Sequence, residues 1–260
     1  MKDKVIVITG ASAGIGAALA ETVAKRGARG VVLAARRSAE LSAVADKLGD
    51  LALVVPTDVT KRADNEQLRD RALAKFGALD VWVNNAGRAI SRLVSQLTDE
   101  DLDEMFTVNV RSVLYGLQAV LPHFKSGKRG HIITISSGLS RFPLAPQRSA
   151  YSASKAAVNL LMASLRVELR DSYPEIHTTT VLPGVVATDF GLNALHGGVD
   201  NRRLPNAQPV DEVAGVIADA IEHPVAEVYT RPQMRDLAAR YFAAEDVSAI
   251  ERQPPFAPTR

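Results

Sequence analysis

The chain of 260 residues contains no cysteine, which excludes disulfides, thiolate metal sites and a cysteine nucleophile. Its five histidines are scattered without the spacing of a metal-binding motif such as H-E-x-x-H, so no metal site is predicted. No apolar run approaches the ~20 residues that a membrane-spanning helix needs. Lys and Arg total 31 against 29 Asp and Glu, without a block of like charges, so neither a nucleic-acid partner nor a membrane surface is expected.

The first apolar stretch, Val5–Thr9, is too short for the hydrophobic region of a signal peptide and runs directly into a glycine-rich motif. Together with the lack of disulfides, which suits a reducing compartment, this stretch predicts a cytoplasmic location. Hydrophobic residues make up 47% of the chain and charged residues 23%. Such a composition is typical of a globular protein with a sizeable core.

Short apolar runs alternate with longer amphipathic segments along most of the chain. Most of the short runs are continuously apolar, as expected of strands buried on both faces of a parallel sheet. The predicted strands are Val5–Thr9, Val31–Ala35, Leu51–Pro56, Val81–Asn84, His131–Ser136, Thr178–Leu182 and Glu227–Thr230. The predicted helices are Gly16–Lys25, Ala39–Lys47, Asn65–Lys75, Asp101–Phe124, Ser152–Leu169 and Val210–Glu222.

This repeated order predicts an α/β fold: a single-domain, Rossmann-type, doubly wound parallel sheet of about seven strands with helices on both faces. Such sheets bind ligands at the carboxyl ends of their strands. The dinucleotide-binding domain is predicted over residues 1–252 and includes a substrate loop at residues 189–208. Residues 253–260 carry three prolines and are predicted to form an extended tail.

Three glycines, Gly10, Gly14 and Gly16, follow the first predicted strand and open the first predicted helix. Glycines at such a turn let the backbone approach a pyrophosphate, and the helix N-terminus supplies free N–H groups and a positive dipole. The spacing G-x-x-x-G-x-G therefore predicts a dinucleotide site. The alternative is a plain strand-to-helix turn that favours glycine.

The end of the second predicted strand bears on the choice between NAD and NADP. An acidic residue there would accept hydrogen bonds from the adenosine ribose, but the sequence is Ala35-Arg36-Arg37. Both arginines can meet a 2′-phosphate with charge-assisted hydrogen bonds, and Ser12 can add a hydroxyl. The predicted cofactor is therefore NADP(H); the alternative is that both arginines are solvated surface charges.

Further motifs follow in order between residues 5 and 190. They are TGASAGIG (Thr9–Gly16), Asp58-Val59, NNAG (Asn84–Gly87), Asn109, Ser136-Ser137, YSASK (Tyr151–Lys155) and PGVVAT (Pro183–Thr188). In their order and spacing the chain resembles the short-chain dehydrogenase/reductase (SDR) family. The resemblance implies an NADP(H)-dependent oxidoreductase that interconverts a small-molecule ketone or aldehyde and its alcohol by hydride transfer.

Tyr151 and Lys155 lie four residues apart on a predicted helix and are therefore neighbours on one face. A free tyrosine, with a pKa of about 10, is a poor base at neutral pH, and the charge of Lys155 is expected to lower the pKa of Tyr151. By resemblance to the family, Tyr151 is the general acid/base and Lys155 also holds the nicotinamide ribose. The resemblance further implies that Ser137 bonds the substrate oxygen and that Asn109 supports a water that relays protons to Lys155.

The position of the serine leaves an alternative open, because thirteen residues separate Ser137 from Tyr151, one more than the family pattern has. A one-residue loop insertion would absorb the difference and leave Ser137 in place. Ser136 and Ser140 are the competing candidates. Ser136 is expected to face the opposite side of its strand, since side chains alternate there.

The cofactor-binding residues combine the glycine and arginine motifs with positions that the resemblance implies. They are Gly10, Ser12, Gly14, Ile15, Gly16, Arg36, Arg37, Asp58, Val59, Asn85, Ala86, Gly87, Tyr151, Lys155, Pro183, Gly184 and Thr188. In the family pattern Asp58 meets the adenine ring and Thr188 the nicotinamide carboxamide. On its chemistry alone, Asp58 is equally well explained as a helix cap.

The substrate side is expected at residues 139–146 and 189–208. The side chains considered for it are Leu139, Phe142, Leu144, Phe190, Leu192, Leu195, Arg141, Arg148 and His196. The alternative is that they pack the loop onto the domain. The strand Glu227–Thr230 is followed by a helical pattern over Met234–Phe242, which disfavours a ketoacyl-carrier-protein reductase, since that group usually ends in a glycine-rich turn.

Two other functions are alternatives to a carbonyl-reducing enzyme. One is a non-catalytic NADP-binding regulator of the same fold, which would not need the Tyr151–Lys155 pair. The other is an epimerase or dehydratase of the longer nucleotide-sugar branch, whose chains carry a different glycine spacing. The apolar residues spread around the segment 156–165 agree with the homodimer or homotetramer that the resemblance implies, because a helix apolar on several faces must be covered on both sides.

Overall fold

The computed structural model describes residues 1–257 and contains one seven-stranded sheet in which every pair of neighbouring strands is parallel. The strand order is β3-β2-β1-β4-β5-β6-β7. The strands are β1 (Val5–Thr9), β2 (Gly30–Ala35), β3 (Ala52–Pro56), β4 (Val81–Asn84), β5 (Gly130–Ile135), β6 (Ile176–Leu182) and β7 (Glu227–Tyr229). The sheet thus confirms the doubly wound fold expected from the apolar runs.

Nine α-helices connect and follow these strands in residues 1–257. They are α1 (Gly14–Lys25), α2 (Ser38–Leu48), α3 (Arg62–Phe76), α4 (Asp99–Phe106), α5 (Ser112–Gly127), α6 (Ser149–Leu169), α7 (Val210–Glu222), α8 (Pro232–Ala243) and α9 (Val247–Glu251).

The helices cover both faces of the sheet. Along β1, Ile6 and Ile8 point to the face packed by α1, α2 and α7, whereas Val5 and Val7 point to the face packed by α3, α5 and α6. Because alternate side chains of a strand leave opposite faces, a strand buried on both sides is apolar throughout. All five residues of β1 are buried.

The prediction of one regular helix over Asp101–Phe124 was wrong in its middle. A π-helical segment, Thr107–Arg111, separates α4 from α5 and contains Asn109. A π-turn inserts an extra residue into a helix and occurs often at functional sites. Here the buried amide of Asn109 is held by the backbone of Arg88, a contact between distant segments that helical periodicity does not reveal.

The C-terminal segment also departs from its prediction. Residues 253–257 form turns instead of an extended tail, and the Phe256 amide donates to the Gln253 carbonyl at 2.9 Å. The Phe256 ring lies 5.8 Å from that of Phe142 and 5.5 Å from that of Tyr241, centroid to centroid, so aromatic packing anchors it. The rest of the predicted tail, residues 258–260, lies outside the described residues. Within residues 1–257 no helix has the length and apolarity needed to cross a membrane.

Candidate active site

A cleft of about 480 Å³ runs along the carboxyl ends of the central strands. Of the predicted site residues, those that line it are Gly10, Ser12, Gly14, Ile15, Arg36, Arg37, Asp58, Val59, Asn85, Ala86, Gly87, Ser137, Tyr151, Lys155, Pro183, Gly184 and Thr188. Gly16 and Asn109 lie behind the surface of the cleft, where they pack against residues that line it. The structure therefore brings together motifs that are spread over 179 residues of sequence, from Gly10 to Thr188.

The glycine loop wraps the start of α1. Gly10 has φ +66° and Gly14 has φ +55°, in the left-handed region that favours glycine. No side chain caps α1 at its N-cap residue, Ala13, so the first N–H groups of the helix face the cleft without such a partner. A helix end of this kind attracts a phosphate through its free N–H groups and its dipole.

Asn85 fastens the end of β4 to the glycine loop. Its side-chain amide donates to the Thr9 carbonyl at 2.8 Å and to the Gly10 carbonyl at 3.3 Å, and its backbone N–H donates to the Thr9 hydroxyl at 3.0 Å. A Cβ on Gly16 would overlap the Gly10 carbonyl oxygen and approach Asn85 Nδ2 at 2.7 Å. Gly16 is thus required by close packing behind the loop and not by an unusual backbone angle.

The two arginines at the end of β2 differ in their surroundings. Arg37 donates to the Ser12 hydroxyl at 3.0 Å and lies 3.5 Å from the carboxylate of Glu40, with both charged side chains about half exposed. Arg36 lines the cleft and forms no salt bridge with any residue in the described part of the chain. Of the two arginines, Arg36 is therefore the one whose charge has no ion-pair partner among the described residues.

Asp58 does not cap a helix, because α3 begins at Arg62 with Lys61 as its N-cap. Its carboxylate accepts from the Thr60 hydroxyl at 2.7 Å and from the Thr60 N–H at 3.1 Å. Burial alone would raise the pKa of Asp58, but these hydrogen bonds and the charge of Arg36 outweigh it and lower the pKa. Asp58 is an anion at neutral pH and borders the cleft.

Tyr151 stands in the first turn of α6, with 8% of its surface exposed, and borders the cleft beside Ser137. Burial raises the pKa of Tyr151, while the Ser137 hydroxyl and the charge of Arg148 act in the opposite direction. The net shift is opposite to the lowering that the sequence predicted, and the effect of the Lys155 charge on Tyr151 stays a prediction. The Lys155 ammonium donates to the Ile135 carbonyl at 2.8 Å and lies 5.9 Å from the centre of the tyrosine ring.

Lys155 is itself buried, with 3% exposed, and burial lowers its pKa to about 8. Its ammonium group borders the cleft close to Gly87, where an added Cβ would lie 3.4 Å from Nζ. A side chain at residue 87 would thus be in van der Waals contact with the ammonium group.

The three serines near Tyr151 have distinct partners. Ser136 donates to the Lys155 carbonyl at 3.3 Å, and Ser140 donates to the Ser137 carbonyl at 2.5 Å while accepting from Asn159 at 2.7 Å. The Ser137 oxygen accepts from the Leu139 N–H at 3.2 Å, which leaves its proton free for a partner in the cleft. Of the three, Ser137 is the one whose hydroxyl acts on Tyr151.

Asn109 is completely buried beneath the cleft. Its side-chain oxygen accepts from the Arg88 N–H at 2.9 Å, and its amide nitrogen donates to the Arg88 carbonyl at 2.9 Å and to the Ser154 hydroxyl at 3.0 Å. These bonds fix the chain directly after Gly87, whose Cβ position would lie 3.0 Å from Asn109 Oδ1. The Asn109 amide thus stabilises the chain after Gly87 and lies near Lys155.

The substrate end contains fewer of the predicted residues. Phe190 borders the cleft with its ring centroid 5.8 Å from that of Tyr151, but Phe142 packs against Tyr241 and Phe256 instead. Leu139 and Leu195 pack with Tyr151 in a small apolar cluster, so packing accounts for them. Four polar residues outside the predicted site segments also border the cleft: Thr57, Thr60, Arg88 and Glu104. Asp189, Asn193 and Asn201 border it within the predicted substrate loop. Arg88 directly follows the NNAG motif, which is the one signal that pointed to it.

Ionic contacts hold the substrate loop against α4. The buried carboxylate of Asp101 lies 2.5 Å from His196 Nε2 and 3.1 Å from Arg92 Nη1. The His196 hydrogen bond lowers the pKa of Asp101, burial opposes it, and the Arg92 charge adds to the lowering. In the described residues no group of three or more His, Cys, Asp or Glu side chains is placed to hold a metal ion.

Comparison with known proteins agrees with this geometry. The sequence model of the family described as short chain dehydrogenase matches residues 4–196, and the chain belongs to this family. An uncharacterized oxidoreductase of Listeria innocua is 37% identical over 234 residues, which cover 86% of this chain and 92% of that relative. The protein is thus an oxidoreductase of the short-chain dehydrogenase family.

Two solved structures show the same fold with a nicotinamide cofactor bound. A short chain dehydrogenase/reductase from Burkholderia phymatum in complex with NAD has a TM-score of 0.85 and 26% identity, covering 100% of this chain and 98% of that one. A short chain dehydrogenase from Burkholderia cenocepacia in complex with NADP has a TM-score of 0.80 and 29% identity, covering 96% of each chain. Similar proteins therefore bind either nucleotide.

Proposed function

We propose that the protein is an NADP(H)-dependent oxidoreductase that interconverts a ketone or aldehyde and its alcohol, with Tyr151 as the general acid/base. One observation carries the proposal. Ser137, Tyr151 and Lys155 border the same cleft as the glycine loop and the two arginines that follow β2. A single ligand extended along this cleft reaches both groups of residues.

The residues of the cleft fit a dinucleotide. The glycine loop and the uncapped start of α1 suit a pyrophosphate, and Gly87 leaves room for a ribose beside Lys155. Arg36 and Arg37 stand at the end of β2, where the strand offers no carboxylate, and suit a 2′-phosphate. When bound, the reduced nicotinamide supplies a hydride to the carbonyl carbon.

The residues of the chain supply the proton and the charge stabilisation. Because burial raises its pKa, Tyr151 holds its proton at neutral pH and donates it to the carbonyl oxygen during reduction. Ser137, whose proton is free for the cleft, donates a hydrogen bond to the same oxygen as negative charge develops on it. In the reverse direction Tyr151 accepts the alcohol proton, and the ammonium of Lys155 stabilises the tyrosinate.

A role of Asn109 in relaying protons to Lys155 stays a prediction. The amide uses its oxygen and its nitrogen on Arg88 and Ser154. A side-chain oxygen has a second lone pair, so one acceptor position remains for a water near Gly87 and Lys155.

The cytoplasmic location also stays a prediction. So does the homo-oligomer, which the exposure of Leu160 (72%) and Val167 (59%) on α6 favours.

The experiment that tests the cofactor assignment is a titration with NADPH and NADH in parallel, followed by nucleotide fluorescence. We expect NADPH to bind more tightly, and Arg36→Ala to weaken NADPH roughly tenfold while leaving NADH unchanged, because only NADPH carries the 2′-phosphate. Arg29→Ala, an arginine outside the cleft, is the matched control. Preference for NADH would refute the assignment to NADP, and failure to bind either nucleotide would favour a protein that keeps the fold without turnover.

A further inference from the structure

The residue directly before α6, Arg148, carries a charge that no acidic side chain neutralises. Its guanidinium Nη1 donates to the Ile90 carbonyl and to the Ser91 hydroxyl, each at 3.1 Å. Both acceptors are uncharged, and within residues 1–257 no salt bridge involves Arg148. The side chain is half-buried, so its charge is less screened than one at the open surface.

The neighbouring arginine provides a contrast. Arg92 and Arg148 are joined through a short parallel bridge of their backbones, and the Arg92 N–H donates to the Gln147 carbonyl at 2.8 Å. Yet Arg92 pairs with the Asp101 carboxylate at 3.1 Å, and His196 takes the other oxygen of the same carboxylate. The carboxylate that pairs with Arg92 is therefore already shared by two partners, and it forms no salt bridge with Arg148.

This position is an unfavourable one for a cation. Arg148 is the N-cap of the 21-residue helix α6, and the positive end of a helix dipole repels positive charge. Tyr151 stands three residues later, in the first turn of the same helix, and residues three apart are neighbours on a helix surface. Ile90, whose carbonyl holds the guanidinium, packs in the same apolar cluster as Tyr151.

We propose that Arg148 is a positioning residue whose uncompensated charge stabilises the tyrosinate form of Tyr151, acting together with the helix dipole of α6. The inference rests on the proposed function of Tyr151 as the acid/base. This role of Arg148 explains why a cation is placed at a helix N-terminus, where the helix dipole disfavours it. It also assigns to Arg148 part of the role that the sequence pattern gave to Lys155 alone, since the Lys155 ammonium is bonded to the Ile135 carbonyl.

Other charged groups on the elements around Tyr151 are already paired or lie further along the cleft. Arg88 and Glu104 form a salt bridge at 3.1 Å, and Asp101 is shared by Arg92 and His196. On α6 itself the other charged residues are Lys155 and, near the far end of the helix, Arg166 and Glu168. Asp189 stands in the substrate loop, and Arg141 pairs with Glu227. Of these groups, the charge of Arg148 counters the effect of burial on the pKa of Tyr151, as the Ser137 hydroxyl also does.

The test is a direct titration of Tyr151 that needs neither substrate nor turnover. The ultraviolet absorbance of tyrosinate is followed against pH in the full chain, and the Tyr151 signal is obtained by subtracting the matching Tyr151→Phe protein. Four backgrounds are compared: wild type, Arg148→Gln, Arg148→Lys and Arg92→Gln. Arg148→Gln keeps a donor without the charge, Arg148→Lys keeps the charge, and Arg92→Gln removes an arginine that is already neutralised.

We expect Arg148→Gln to reduce the tyrosinate fraction at a fixed pH roughly tenfold, the size of effect that one partly buried charge exerts. Arg148→Lys and Arg92→Gln are expected to titrate close to the wild type. Arg148→Met replaces Arg148→Gln if that protein does not fold. The inference is overturned if the neutral variant titrates as the wild type does, or if Arg148→Lys loses as much tyrosinate as Arg148→Gln. Because the readout is independent of catalysis, it separates this inference from the proposed activity.

Discussion

The two ends of the cleft are built in different ways. At the cofactor end, neighbouring strand ends and the glycine loop meet through hydrogen bonds to backbone carbonyls, as in the bond of 2.8 Å from the Asn85 side chain to the Thr9 carbonyl. At the substrate end, side-chain charges join segments far apart in sequence, as in the contact of 2.5 Å between His196 and Asp101. The first kind of site is specified by local motifs, whereas the second depends on how loops happen to meet.

The largest effect on nucleotide binding is expected at the cofactor end from Gly16→Ala. The new Cβ would overlap the Gly10 carbonyl oxygen, and the loop must shift to accept it. Overpacking of this kind costs about 1–3 kcal/mol, so we expect the affinity for NADPH to fall roughly 10- to 100-fold. Gly215→Ala is the matched control, since a Cβ there meets nothing within 4 Å in the middle of α7. Equal binding by both variants would contradict the packing account.

A smaller effect is expected at the substrate end from Asp101→Asn. Loss of the carboxylate weakens the contacts with His196 and Arg92, so the substrate loop is held less firmly. We expect the KM for a carbonyl substrate to rise roughly three- to tenfold, as for loss of one charge-assisted hydrogen bond, with NADPH affinity unchanged. Asp200→Asn is the control, because that carboxylate bonds Arg202 within the same loop and does not join the loop to α4.

The same network predicts a dependence on pH. The His196 hydrogen bond holds the pKa of Asp101 below its ordinary value, although burial opposes it. A carboxylate with a lowered pKa keeps its contacts through the ordinary carboxyl range and loses them only as the pH falls through its own pKa. The contrary result would be loop contacts that weaken already at mildly acid pH, to the same extent in the wild type and in Asp101→Asn. That result would argue against this role of the carboxylate.

The smallest effect on the cleft is expected from His131→Gln, at the opposite end of the sheet. Burial lowers the pKa of His131 to about 3, whereas a free histidine has a pKa of about 6.5. Between these values the unfolded chain binds more protons, so the free energy of unfolding falls as the pH is lowered, by about 2 kcal/mol from pH 7 to pH 5. Thermal unfolding at both pH values should show a smaller acid loss in His131→Gln than in the exposed control His223→Gln, with NADPH binding unchanged at pH 7.

The contrast between the two ends of the cleft also explains which features could be predicted from the sequence. All seven strands and the convergence of the cofactor motifs follow from local patterns, because strand apolarity and glycine spacing are properties of short segments. The π-turn at Asn109 and the packing of Phe256 on Phe142 were not predictable, since both depend on partners more than 20 residues away. Glu104, which borders the cleft and pairs with Arg88, was not predictable either.

The electrostatics around Tyr151 were predicted only in part. The spacing of Tyr151 and Lys155 correctly indicated neighbouring side chains, and their centroid-to-ammonium distance is 5.9 Å. The predicted direction of the shift in the pKa of Tyr151 was wrong. The burial of Tyr151 and the bond of Lys155 to the Ile135 carbonyl are features of the tertiary structure, which the sequence pattern does not reveal. A helical pattern gives the spacing of two side chains but not how far each is exposed to solvent.

The central claim is tested most directly by following NADPH oxidation with a panel of ketones and aldehydes for the wild type, Tyr151→Phe and the control Tyr115→Phe. The account predicts that Tyr151→Phe binds NADPH as tightly as the wild type but reduces the carbonyl roughly 10²- to 10⁴-fold more slowly, the contribution of a general acid. Tyr115→Phe is expected to keep full activity. Carbonyl reduction by Tyr151→Phe at the wild-type rate would contradict the account.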